Sequence, residues 1–212
     1  MFEEERSPRQ GNFRIHEDSE TGLKYSDHPV FFCLPRTYFA GMSTSRRWFD
    51  RKFELGLAPD LAPELLERLR RTPQRLADAV RDLPPEILTR KPEGKWSIQE
   101  NAGHLLDLES LWDQRLDDYA AGTKELHPAD LENRKTHEAA HNDRPISEIL
   151  VDFASARGRI VDRLARMSRA ELRRTALHPR LQQPMSVVDL CFFVAEHDDH
   201  HLRTVDELKS DL

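Results

Sequence analysis

The chain has 212 residues, of which 33% are charged and 38% hydrophobic, and a net charge of −6. That length supports one domain with a sizeable core, and the acidic balance argues against a dominant nucleic-acid footprint. No apolar run reaches the ~20 residues needed to span a bilayer, and the acidic opening MFEEERSPRQ lacks the apolar stretch of a signal peptide. Cys33 and Cys191 form neither a zinc spacing nor a dense disulfide framework. Cys191 lies in an apolar run and reads as a small buried hydrophobe, and a reducing cytoplasm is the expected compartment.

Residues 1–44 are polar and weakly periodic, and Pro29 and Pro35 interrupt their short apolar patch. They read as a poorly ordered extension, and residues 45–212 as the folded domain. Met42 opens MSTSRRWFDRKF, which resembles a natural start.

Four long helical signals follow. The first spans about Pro63 to Leu83, with Leu65, Leu66, Leu69, Leu76, Ala79 and Leu83 on one stripe. Pro73 lies inside it and is expected to kink or split it. Arg68, Arg70, Arg71 and Arg75 cluster here, but Glu64, Glu67 and Asp78 are interleaved, which describes a solvated face. The second begins at Ser97, where S-x-x-E with Glu100 forms a capping-box pattern. Ile98, Ala102, Leu105, Leu108, Trp112, Leu116 and Tyr119 recur at helical spacing, and Gly122 is a natural stop. The third spans about Ile146 to Met167, and the fourth about Ser186 to Leu208. No stretch shows sustained strand alternation, so the expected fold is all-α, a four-helix bundle. The long connection from Gly122 to Pro145 can cross the bundle and leave the second and third helices parallel. A second long connection covers about Ser168 to Met185.

Two histidine pairs stand at i,i+4. HEAAH, His137 to His141, has the H-E-x-x-H spelling of a zinc protease. Its flanks are polar, Asn142, Asp143 and Pro145 end any helix at once, and no third ligand follows. A polar loop is the better reading, with His137 and Asn133 as candidates for the mouth of a site elsewhere. In VAEHDDHHLRTV, by contrast, His197 and His201 continue the buried stripe of Leu190, Phe193, Val194, Val205 and Leu208. Imidazoles on a core-facing stripe need partners, and a metal ion satisfies both, because i and i+4 side chains stand one above the other. His200, at i+3 from His197, can substitute for His201. Asp198 and Asp199 are expected to point into water. The third ligand is His104, on the edge of the second helix's apolar face. Three histidines and an open position make the catalytic type of zinc site, and imidazole suits zinc, nickel or copper. Arg180 and His178, before the fourth helix, are further candidates for the pocket mouth.

GKWSIQENAGHLLDLE followed far downstream by VAEHDDHHLRTV resembles the DinB/YfiT-like family of metal-dependent bundles. The likeness covers about Ser45 to Leu208. It implies up-down-down-up connectivity and a divalent metal, zinc or nickel first, held by His104, His197 and His201. It also implies a low-molecular-weight thiol such as bacillithiol, mycothiol or glutathione as co-substrate, and transfer of that thiol to a small electrophile. Two alternatives stand beside thiol transfer: a hydrolase using metal-activated water, and a non-catalytic metal- or ligand-binding bundle. For a hydrolase, Glu100 and Asp107 are carboxylates on the second helix, but their spacing aims neither at the site. The expected partners are a small-molecule substrate and a second copy of the chain in a homodimer, with no nucleic acid and no membrane.

Overall fold

The computed structural model describes residues 48–210 and two short antiparallel strands, β1 (His16–Glu17) and β2 (Lys24–Tyr25). The expectation of disorder in the rest of residues 1–44 lies outside the described residues. The chain divides into two compact units at Ser45/Arg46, and the second holds everything that follows.

The elements of this unit run in order α1 (Ala62–Val80), α2 (Pro85–Leu88), α3 (Ile98–Ala121), α4 (Arg134–Glu138), α5 (Ile146–Ala165), α6 (Arg169–Leu172), β3 (Thr175–His178), β4 (Gln183–Ser186) and α7 (Val187–Ser210). The four long helices, α1, α3, α5 and α7, form the bundle. Contacts between side chains give the directions. Asn101 meets His201 and Tyr119 reaches Ser186, so α3 and α7 are antiparallel. Glu109 meets Arg157 and Asp117 meets Arg163, so α3 and α5 are parallel. Leu65 and Leu69 share one apolar cluster with Leu190 and Leu164, while Leu76 and Val80 share the other with Leu202 and Ile149. The bundle is therefore up-down-down-up, and the segment after Gly122 carries the chain back across it.

Local chemistry sets the helix ends. The Ser97–Glu100 capping box is complete: the Ser97 hydroxyl accepts from the Glu100 amide, and the Glu100 carboxylate accepts from the Ser97 amide. Gly122 closes the same helix in the left-handed conformation (φ 68°). Ser186 caps α7 in the same reciprocal way with Asp189.

Several expectations need correction. Pro73 neither splits nor ends α1, which runs unbroken through it. Proline has no N–H for the carbonyl four residues back, and that carbonyl, on Leu69, accepts from Arg157 Nη1 at 3.4 Å. The connection before α7 contains a hairpin, with Thr175 opposite Ser186 and Ala176 opposite Met185. Its strands are too short to show alternation, and Pro184 masks one of them. The arginine-rich face of α1 is only partly solvated: Arg70 and Arg71 pair with exposed Glu67, but Arg68 and Arg75 reach across to Asp199 on α7.

The core consists of two apolar clusters separated by a charged layer. Arg157 of α5 is 1% exposed and donates to Glu109 of α3 (2.6 Å) and to Asp198 of α7, besides the Leu69 carbonyl of α1. All four helices thus meet at one guanidinium. Asp198, expected in water, is 1% exposed and belongs to this layer. Asp199 is half-buried against Arg68 and Arg75. Burial works against the Arg157 charge, but Asp198 and Glu109 outweigh it and hold the group firmly protonated. Removing one member leaves uncompensated charge in the core. We expect Asp198→Ala to destabilise the fold by about 3–5 kcal/mol. Glu67→Ala, in an exposed ion pair, should leave the midpoint nearly unchanged. Urea denaturation of both variants decides it, and equal midpoints would contradict this account.

Candidate metal centre

The histidine cluster forms where the N-terminal half of α3 faces the middle of α7. The Ser97 cap fixes the start of α3, so Asn101 and His104 lie on successive turns toward α7. The Arg157–Asp198 pair fixes the rotation of α7. One residue along a helix turns about 100°, so with Asp198 facing α5, His197 and His201 face α3. The structure thus brings His104, His197 and His201 together. All three are buried, one ring nitrogen of each lies within 4.8 Å of the others, and the ring centroids are 4.6–5.4 Å apart.

Hydrogen bonds orient two of the rings. Thr136 donates its hydroxyl proton to Asp107 (2.9 Å), so its oxygen accepts from His104 Nδ1 (3.0 Å). Asn101 donates its amide to the Ser97 carbonyl (2.8 Å), so its oxygen accepts from His201 Nδ1 (2.9 Å). Both networks place the proton on Nδ1 and leave Nε2 as a bare lone pair. Nδ1 of His197 is buried and has no partner among the described residues. Burial drives His104 down to about 4 and His197 and His201 well below their ordinary value. All three are neutral at physiological pH, which suits a divalent ion with one position left open.

His141, from the competing HEAAH, completes the support. Its Nε2 lies 2.8 Å from the same Asp107 oxygen that Thr136 contacts. Gly103 makes this possible, since a Cβ there would stand 2.2 Å from the His141 ring. No helix carries the HEAAH pair as a unit: α4 ends at Glu138 and Ala140 is left-handed (φ 48°). The protease arrangement is therefore absent, and the segment supports His104 instead. Thr136 is the supporting residue that sequence reasoning missed, and Asp107, which the spacing did not aim at the site, backs His104 through it. Asp107 is one turn from His104, but nothing local links it to Thr136.

A cavity of about 500 Å³ opens on the three histidines, with Trp48, Trp96, Trp112 and Phe193 among its walls. His200, Asn133, Arg180 and His178 also line it. His200 stands beside His201 (5.1 Å between rings) but is not one of the clustered ligands. His137 packs edge-on against Trp96 at 5.6 Å and is not among the lining residues. Cys191 is buried, and burial pushes its thiol up to about 12.

The depressed histidines couple stability to pH. Between the ordinary 6.5 and about 4 the unfolded chain binds protons that folded His104 refuses. Metal-free stability should be complete above pH 6.5 and fall as the pH approaches 4. His104 alone contributes on the order of 3 kcal/mol to that loss. Urea melts of chelator-treated protein from pH 7.5 to 4.5 measure it, and His104→Gln should flatten the slope. A pH-independent midpoint would contradict neutral burial.

A comparison with curated proteins finds no match. Among solved structures, the chain is similar to YfiT from Bacillus subtilis, described as a probable metal-dependent hydrolase with an unusual four-helix bundle topology. The two share 18% identity and a TM-score of 0.68 over 76% of this chain and 93% of the other. No helix among the described residues is long and apolar enough to cross a membrane. The family model of the DinB superfamily matches residues 68–205, well over half of the sequence and all three clustered histidines; the chain belongs to the DinB superfamily.

Proposed function

We propose that the protein is a metal-dependent enzyme that transfers a low-molecular-weight thiol to a small electrophile. One observation carries this reading. The three bare imidazoles open into an aromatic-walled cavity that offers neither a thiol nor a free carboxylate among the described residues. Asp130, the carboxylate in its lining, spends both oxygens on the backbone amides of Glu132 and Arg134. Cys191 is sealed in the helix core. The nucleophile therefore comes from outside and needs no carboxylate base.

His104, His197 and His201 would hold the ion, zinc or nickel, through one ring nitrogen each. The bound ion supplies Lewis acidity, which favours a thiolate near neutral pH. Thr136 and Asn101 lock two of the rings, with Asp107 and His141 behind Thr136. Trp48, Trp96 and Trp112 limit water. His200 is held neutral by partial burial, and then by Arg203 and Arg51, so its ring can accept the thiol proton. A carbon–sulfur bond forms, and the leaving group departs with its electron pair.

A second reading, hydrolysis, is favoured by the same His200. A neutral imidazole in the cavity wall can serve as general base toward water, and the similar structure carries a hydrolase description. Thiol dependence separates the two. Metal-loaded protein should consume glutathione, bacillithiol or mycothiol against a halogenated model electrophile, and His104→Ala should abolish both metal content and turnover. Thiol-independent turnover would transfer the assignment to hydrolysis. No turnover, with metal removal costing only stability, would leave a binding bundle.

The support network has its own consequence. Thr136→Val and Asp107→Asn should each weaken metal affinity about 10–100-fold with all three ligands intact. Competition titrations against a chromophoric chelator measure this, and unchanged affinity would remove Asp107 and Thr136 from the site.

A further inference from the structure

The cavity wall carries two guanidinium groups, Arg115 and Arg180, that form no ion pair among the described residues. Arg115 is 1% exposed. An arginine at that depth ordinarily sits against carboxylates, as Arg157 does. Arg115 forms no ion pair among the described residues. Its Nε donates to the His127 carbonyl (3.0 Å) and its Nη1 lies 3.2 Å from His178 Nε2. Asp118, whose charge it feels, turns its oxygens to the His127 amide (2.7 Å) and ring (3.1 Å) instead. Burial lowers Arg115 to about 10, which leaves it cationic at neutral pH.

Arg180 is in a similar state. Its guanidinium lies 5.4 Å from the Phe49 ring and 5.9 Å from the Phe193 ring, and its Nη2 is buried without a hydrogen-bond partner. His178 links the two arginines: its Nδ1 accepts from the Arg180 backbone amide (3.2 Å) while its other nitrogen faces Arg115. Burial, then the two arginines, hold His178 neutral, down to about 3. Lys95 adds a third cation to the lining, and Asp130 is already committed to backbone amides.

Arg115 stands about one aromatic ring from the histidines. The Trp112 ring lies 5.3 Å from the Arg115 guanidinium and 6.1 Å from the His197 ring. A ligand can therefore reach both ends of one cavity.

We infer that Arg115 and Arg180 form a carboxylate-binding subsite, and that the molecule filling the cavity is a small organic anion with an apolar or aromatic body. The buried Arg115 guanidinium and the part-buried Arg180 guanidinium, with its buried Nη2, match the two oxygens of a carboxylate. The indole and phenyl walls match the body. The inference deepens the proposed function and rests on it for the reactive end of the molecule, which lies at the histidines.

Trp48, Trp96 and Trp112 line the cavity, so their fluorescence reports binding to the full-length, metal-loaded chain. The probes are phenylacetate, 3-phenylpropionate and 4-phenylbutyrate, each beside its neutral amide. At least one carboxylate should bind about tenfold or more tightly than its amide. Arg180→Gln should bring the pair close to parity. This variant carries the test, because truncating the fully buried Arg115 also disturbs packing; Arg115→Lys serves as the second. His104→Ala should keep the preference. Equal or undetectable binding of both members of every pair overturns the subsite. A preference that survives Arg180→Gln but vanishes in His104→Ala places the carboxylate on the metal: the subsite falls and the metal centre stands. A preference that needs Arg180 in a chain without thiol turnover supports the subsite while removing thiol transfer.

Discussion

The bundle is organised around one buried cation. Arg157 must find anions and acceptors on every side, and it takes them from Glu109, Asp198 and the Leu69 carbonyl. A buried charge tolerates little sliding or rotation of its partners. The contact therefore sets the register of α1, α3, α5 and α7 in a way that apolar contact, being non-directional, does not. Pro73 has a part in this: it frees the carbonyl that Arg157 uses. A residue that would ordinarily disrupt α1 instead supplies the acceptor that joins this helix to the charged layer.

The same contact positions the histidines. Asp198 is committed to Arg157, so its neighbour His197, and His201 one turn on, must look toward α3. There the capping box at Ser97 has placed Asn101 and His104. The two networks meet at the site without sharing a hydrogen bond. One controls the rotation of α7 and the other the orientation and tautomer of two rings. These two rings, His104 and His201, are held from behind at Nδ1, and one nitrogen of each of the three imidazoles converges on a common point.

The cavity combines features that seldom coexist in a stable interior. It holds neutral imidazoles at one end, unpaired guanidiniums near the other, and aromatic rings between them. Among the described residues Arg115 and Arg180 have no counter-ion, which costs stability, whereas Arg157 in the same bundle is fully matched. That contrast separates a structural arginine from one held ready for a ligand.

Much of this was legible from residue order. The S-x-x-E box, the αL stop at Gly122 and the apolar periodicity mark the long helices because they are local rules within one or two turns. The i,i+4 spacing of His197 and His201 on a core stripe, with His104 as the one histidine on the first three long helices, singled out the cluster for the same reason. What escaped depended on partners distant in the chain. Asp198 reads as a solvated charge until Arg157, 41 residues away, is seen to face it. HEAAH reads as a polar loop until Gly103 admits His141 to Asp107. The β3–β4 hairpin is too short to show a period. By itself, then, the sequence determined the helices, their caps and which histidines share a face. Only the tertiary structure decided which charges are buried, which imidazole nitrogens are bare and which arginines lack an anion. Those properties belong to pairs of groups brought together by folding, and no local spacing encodes them.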